Sequence, residues 1–103
     1  YPEVRAALAA ASRNRDLTEA QASAAAAEWE RFWASMRAVE FTAEVERSAG
    51  DLAVRHQLRG ADAVHLASAL AFDSPDLIVA VWDRRLHSGA MSAGLAVAPA
   101  TLD

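Results

Sequence analysis

Polar and apolar residues alternate along this chain with the period of helices for most of its length. After Pro2, which suits a first helical position, Val4, Ala7, Leu8 and Ala11 recur at helical spacing. The polar run 12–16, SRNRD, ends that helix. TEAQ at 18–21 has the form of a capping box, Thr18 with Gln21 three residues on. The helix it opens carries Ala22, Ala25, Ala26, Trp29, Phe32, Trp33 and Met36 on one side, with Glu28, Glu30, Arg31 and Arg37 mostly on the other. AVEF at 38–41 alternates Val39 and Phe41 around Glu40 and is expected to form a short strand.

Thr42 is a candidate N-cap for a third helix that turns Val45, Ala49, Leu52, Ala53 and His56 inward, with Gly60 placed to end it. ADAVHLASALAF forms the next helix, closed by DSPD. LIVAV at 77–81 is apolar without alternation, the pattern of a strand buried on both faces. WDRRLHSGAM reads as a short helix, and GLAV as a last strand before Pro99. The order of elements favours an α/β domain with a small parallel sheet. One strong strand and two weak ones make a poor sheet centre. The chain also begins at Tyr1 without a methionine, so it reads as a single domain, 1–103, incomplete at its N-terminus.

Composition narrows the class. The 103 residues are 53% hydrophobic, far from a disordered composition, and suit one domain with a modest core. No apolar run reaches the roughly 20 residues of a membrane span. With no cysteine there is neither a disulfide nor a thiolate metal site, and a cytoplasmic protein is expected. The net charge of −4 supplies no global field for nucleic acid, so any such role rests on a local site.

Three acids stand out, each with a plainer reading beside it. Asp83 follows the apolar strand directly, where open α/β sheets place ligands, yet it also suits the N-cap of the next helix. Asp62 sits in the first turn of its helix, bordering the arc of Ala63, Leu66, Ala67 and Leu70; favourable interaction with the helix dipole is the alternative. Glu3 has the same dipole alternative. Three helix N-termini can meet at one sheet edge, and carboxylates gathered there need a cation; oxygen donors suit Mg²⁺ or Mn²⁺. His65 is expected to be a buried, satisfied histidine, with orientation of a ligand as the alternative. Arg59, Arg84 and Arg85 are phosphate-binding candidates or solvated surface charges. Trp29, Phe32 and Trp33 suit core or dimer packing better than base stacking.

YPEVRAAL, LRGADAVHLASAL and VWDRRLHSGAMSAGLAVAP, in that order and spacing, resemble the PIN-domain ribonucleases, specifically the VapC-type toxins of toxin–antitoxin pairs. The resemblance implies a three-layer α/β/α domain with a small parallel sheet and a Mg²⁺- or Mn²⁺-dependent endoribonuclease. It matches Glu3, Asp62 and Asp83 to the family's catalytic, metal-holding acids, with Arg84 and Arg85 as candidates for substrate phosphate. Implied partners are RNA, a small antitoxin covering the acidic pocket, and a second toxin subunit in a homodimer. The aromatic face of helix 19–36 is a candidate antitoxin groove. Family members open with a strand ending in aspartate, which this sequence lacks. A catalytically silent module that binds antitoxin or itself is therefore the main alternative, and a phosphoryl hydrolase of another α/β family a third.

Overall fold

A computed structural model describes all residues, Tyr1–Asp103. Helices α1 (Pro2–Arg13), α2 (Glu19–Ala34), α3 (Ala43–His56) and α4 (Gly60–Phe72) precede β1 (Ile78–Ala80), α5 (Arg84–Ser92) and β2 (Ala96–Ala98). The chain divides into two compact units, Tyr1–Ala38 and Val39–Asp103.

The first unit is a helical hairpin. Thr18 forms the predicted capping box: its hydroxyl accepts from the Gln21 N–H at 3.1 Å, and the Gln21 side chain accepts from the Thr18 N–H at 2.9 Å. Neither α1 nor α2 contains a buried residue. Half-buried Val4 and Leu8 of α1 and Ala25 and Trp29 of α2 line one apolar groove along the hairpin. Tyr1 adds an aromatic cluster, its ring 5.2 Å from that of Trp33 and 6.3 Å from that of Trp29. The Tyr1 hydroxyl (2.5 Å) and the Arg5 guanidinium (2.7 Å) both donate to the same Glu30 oxygen. Donation from Tyr1, with Arg5 assisting, holds the Glu30 carboxyl below its ordinary range. The same bond to Glu30 raises the Tyr1 phenol.

The second unit holds the hydrophobic core. Thr42 caps α3 by accepting from the Val45 N–H at 3.2 Å, and Val45, Ala49 and Leu52 are buried as their spacing predicts. They pack with Leu58, with Ala63, Leu66 and Ala67 of α4, and with Val81, Leu86 and Ala90. β1 and β2 pair in parallel, Val79 opposite Val97, with α5 as the crossover between them. Val79 and Val97 share the sheet face that packs on the core. The architecture is α/β with a small parallel sheet, as expected.

Three local expectations fail. Residues 38–41 are not a strand: Val39 and Phe41 are exposed, and no neighbouring strand completes a ladder for them. Gly60 does not end α3 but begins α4. The helix stops earlier, at Gln57, which takes a left-handed conformation (φ 53°) and lets Leu58 turn into the core. LIVAV is not buried on both faces; Ile78 is 61% exposed, because the two-stranded sheet is covered by core residues on one face only.

Candidate active site

All three candidate acids lie at helix beginnings. Glu3 is in the first turn of α1, exposed, and belongs to the first unit. Asp62 and Asp83 belong to the second. Asp62 lies in the first turn of α4, half-buried beside Ala63 and Leu66. No side chain caps that helix, and no hydrogen bond or ion pair occupies the Asp62 carboxylate. Its oxygens remain open to solvent.

Asp83 does what its position after β1 allows in the plainer reading. It is the N-cap of α5, and its Oδ1 accepts from the Leu86 N–H at 2.9 Å. The bond fixes the side chain and leaves Oδ2 free, so capping and ligand binding are compatible at this residue.

A hard cation suits these groups chemically, since each acid offers at least one unspent oxygen. No group of three or more His, Asp or Glu side chains is gathered closely enough to hold a metal ion by itself. Mg²⁺ does not demand one: it is commonly held by one or two carboxylates, with waters and substrate phosphates completing its shell. The residues therefore fit such an ion as partial ligands and not as a closed cage.

His65 is exposed, contrary to expectation, because it falls on the α4 face turned away from Ala63, Leu66 and Ala67. The buried histidine is His87, whose Nε2–H donates to the Pro99 carbonyl at 2.8 Å and ties α5 to the segment after β2. Its place between Leu86 and Ala90 on the inner face of α5 was the available signal. Arg84 donates to the Asp103 carbonyl, whereas Arg85 has no hydrogen-bond or ion-pair partner. Both line a polar pocket with His56, Gln57 and Ser88, which the sequence did not reveal because its two sides come from α3 and α5. In the first unit, Trp29 and Trp33 pack on each other and on Tyr1, and the Trp29 Nε1 is buried without a partner. No helix is long and apolar enough to cross a membrane.

One acid follows a parallel strand, a second begins the helix before that strand, and α5 then crosses over from β1 to β2, which is the layout of a small α/β domain with acids at helix starts. The PIN-domain profile matches residues 3–88, and the chain belongs to the PIN-domain family. Within it, the chain is similar to Ribonuclease VapC45 of Mycobacterium tuberculosis strain CDC 1551 / Oshkosh and to Ribonuclease VapC49 of strain ATCC 25618 / H37Rv. Identity to each is 68% over 103 residues, all of this chain and 72% of the relative. No solved structure matches it.

Proposed function

We propose that the chain acts as a VapC-type endoribonuclease toxin of the cytoplasm, with Glu3, Asp62 and Asp83 holding a Mg²⁺ or Mn²⁺ ion at an RNA phosphodiester. The observation that carries this reading is 68% identity along the entire chain to two proteins named ribonucleases. Similarity of that extent favours a nuclease over a catalytically silent binding module. The bound ion supplies a water of lowered pKa and positive charge beside the phosphoryl oxygens.

The protein's own contribution is placement. Asp62 presents an unspent carboxylate at the start of a helix anchored by Ala63, Leu66 and Ala67, so its position is set by the core. Asp83 is held by its bond to Leu86 and directs its remaining oxygen outward from the end of β1. Arg84 and Arg85, next along the chain, supply positive charge for the phosphates of the bound strand. The apolar groove of the first unit, lined by Val4, Leu8, Trp29 and Phe32, is the surface offered to a small antitoxin, and a homodimer is the assembly this reading implies.

The test is cleavage of a structured RNA with Mn²⁺ or Mg²⁺ supplied. The parent chain cuts; Asp62→Asn and Asp83→Asn each lose more than the roughly 10–100-fold expected for an outer-shell partner. Asparagine retains the Asp83 cap, so a loss there reports on charge and not on folding. Undiminished cutting by both variants overturns the assignment.

A further inference from the structure

Beside Asp83, the pocket between the end of α3 and the start of α5 is lined by His56, Gln57, Arg84, Arg85 and Ser88. From it we infer a subsite for a phosphate of the RNA strand, separate from the phosphate at the acids; this rests on the ribonuclease reading.

The chain carries a net charge of −4, yet the residues lining this pocket include two arginines and a histidine and no acid. The nearest acid along the chain, Asp83, has one oxygen committed to the Leu86 N–H. Arg84 and Arg85 occupy the first turn of α5, where the helix dipole disfavours cations. Arg84 is tied to the Asp103 carbonyl, but no partner within the fold uses the charge of Arg85. An anion beside them removes the conflict.

The donors are also unspent. Arg84 is partly engaged by the Asp103 carbonyl, but the side chains of His56, Gln57, Arg85 and Ser88 make no hydrogen bond or ion pair within the protein. Arg84, Arg85 and Ser88 stand at i, i+1 and i+4, so they share the outer side of α5 while Leu86 and Ala90 anchor the inner one. Opposite them, Gln57 holds φ at 53°, a left-handed conformation uncommon for a residue with a side chain. The packing beneath keeps these walls together: a Cβ at Gly89 would meet Leu58 at 3.4 Å and His56 Cβ at 3.6 Å. Guanidinium, amide and hydroxyl donors around one concavity match phosphate oxygens, and arginine engages them in bidentate fashion.

Binding of an eight-nucleotide oligouridylate to the full chain, in EDTA so that no metal takes part, tests the subsite by amide NMR and by salt titration. The Gln57, Arg85 and Ser88 amides are expected to shift. Arg85→Ala should weaken binding about tenfold, the size of one charge-assisted hydrogen bond, and reduce the log–log salt slope by about 0.7. Arg13→Ala, in the first unit, should change neither. Inorganic phosphate alone should shift the same amides weakly; shifts with phosphate but none with the oligonucleotide overturn the RNA assignment. Arg85→Gln, isosteric in its stem, serves the same purpose if the alanine variant unfolds. Unaltered affinity and slope in the Arg85 variant, or no binding by the parent, overturns the subsite. A parent that binds here yet cuts no RNA with Mn²⁺ refutes the ribonuclease reading while leaving the phosphate subsite standing.

Discussion

The two units of this chain are stabilised in different ways. The second buries ten apolar residues, from Val45 through Ala90, drawn from three helices, a turn and a strand end. The first buries none in either helix and relies on a capping box, a ring cluster and one three-membered polar contact. Helices of 12 and 16 residues are marginal alone, so the hairpin depends on the contacts along its seam. Asp62 and Asp83 stand on the unit with the core; Glu3 stands on the unit without one.

The largest effect that can break this contrast is a cavity in the core. Leu66 is 1% exposed, so Leu66→Ala should cost about 2–5 kcal/mol in urea unfolding. Leu8→Ala, at a half-buried seam position, should cost about 1 kcal/mol. Equal losses would mean that the units share their stability. Native-state hydrogen exchange sharpens the same point: amides of α1 and α2 should open at lower free energy than those of α3 and α4.

Caps come next in size. Thr18→Ala and Thr42→Ala should each cost about 1 kcal/mol, the first seen in exchange from α2 and the second in the unfolding of the core. At Asp83 the comparison separates two roles. Asp83→Ala should lose about 1 kcal/mol of stability, while Asp83→Asn keeps the cap and should unfold near the parent's midpoint. Were Asn as destabilising as Ala, the carboxylate charge itself would be structural.

What could be read from sequence follows the range of the interactions concerned. Thr18 with Gln21, Thr42 with Val45 and Asp83 with Leu86 are separated by three residues, and each was visible as a pattern of types. The inward positions of α3 and α4 were visible from helical spacing. Apart from His65, whose outward place follows from helical spacing within α4, the errors concern partners distant along the chain. Val39 and Phe41 alternate like a strand, but a strand exists only where another strand pairs with it. Ile78 is apolar, and its exposure depends on what covers the sheet, which alternation cannot report. Gly60 looked like a stop signal, yet the stop came from the need to bury Leu58, met by Gln57 in a left-handed turn. The candidate acids were legible by type and by place in their own helices. The pocket of His56 and Arg85 was not, because it joins residues nearly thirty positions apart.

The smallest effect is set by pH and belongs to the hairpin alone. Glu30 is favoured as a carboxylate in the folded hairpin because Tyr1 and Arg5 donate to it, so its carboxyl lies below the ordinary value. Its contribution is therefore complete above the unfolded Glu value and fades as pH falls through the lower, folded one. Tyr1 behaves in the opposite sense. Its phenol must stay protonated to donate to Glu30, its value is raised in the fold, and its contribution is complete below the unfolded Tyr value and lost as pH rises through the folded one. The contact is thus fully formed in the window between those two unfolded values. Because all three groups are exposed, the energy involved is small, and exchange from the first turn of α1 is the sensitive measure. In a Trp82→Phe background, fluorescence of Trp29 and Trp33 should change at both ends of the window, since the Tyr1 ring packs on both indoles. Glu30→Gln should abolish the acid-side change and leave the unfolding of the core unmoved. A matching shift in the core transition would show that the two units are coupled through this contact, and the contrast between them would have to be withdrawn.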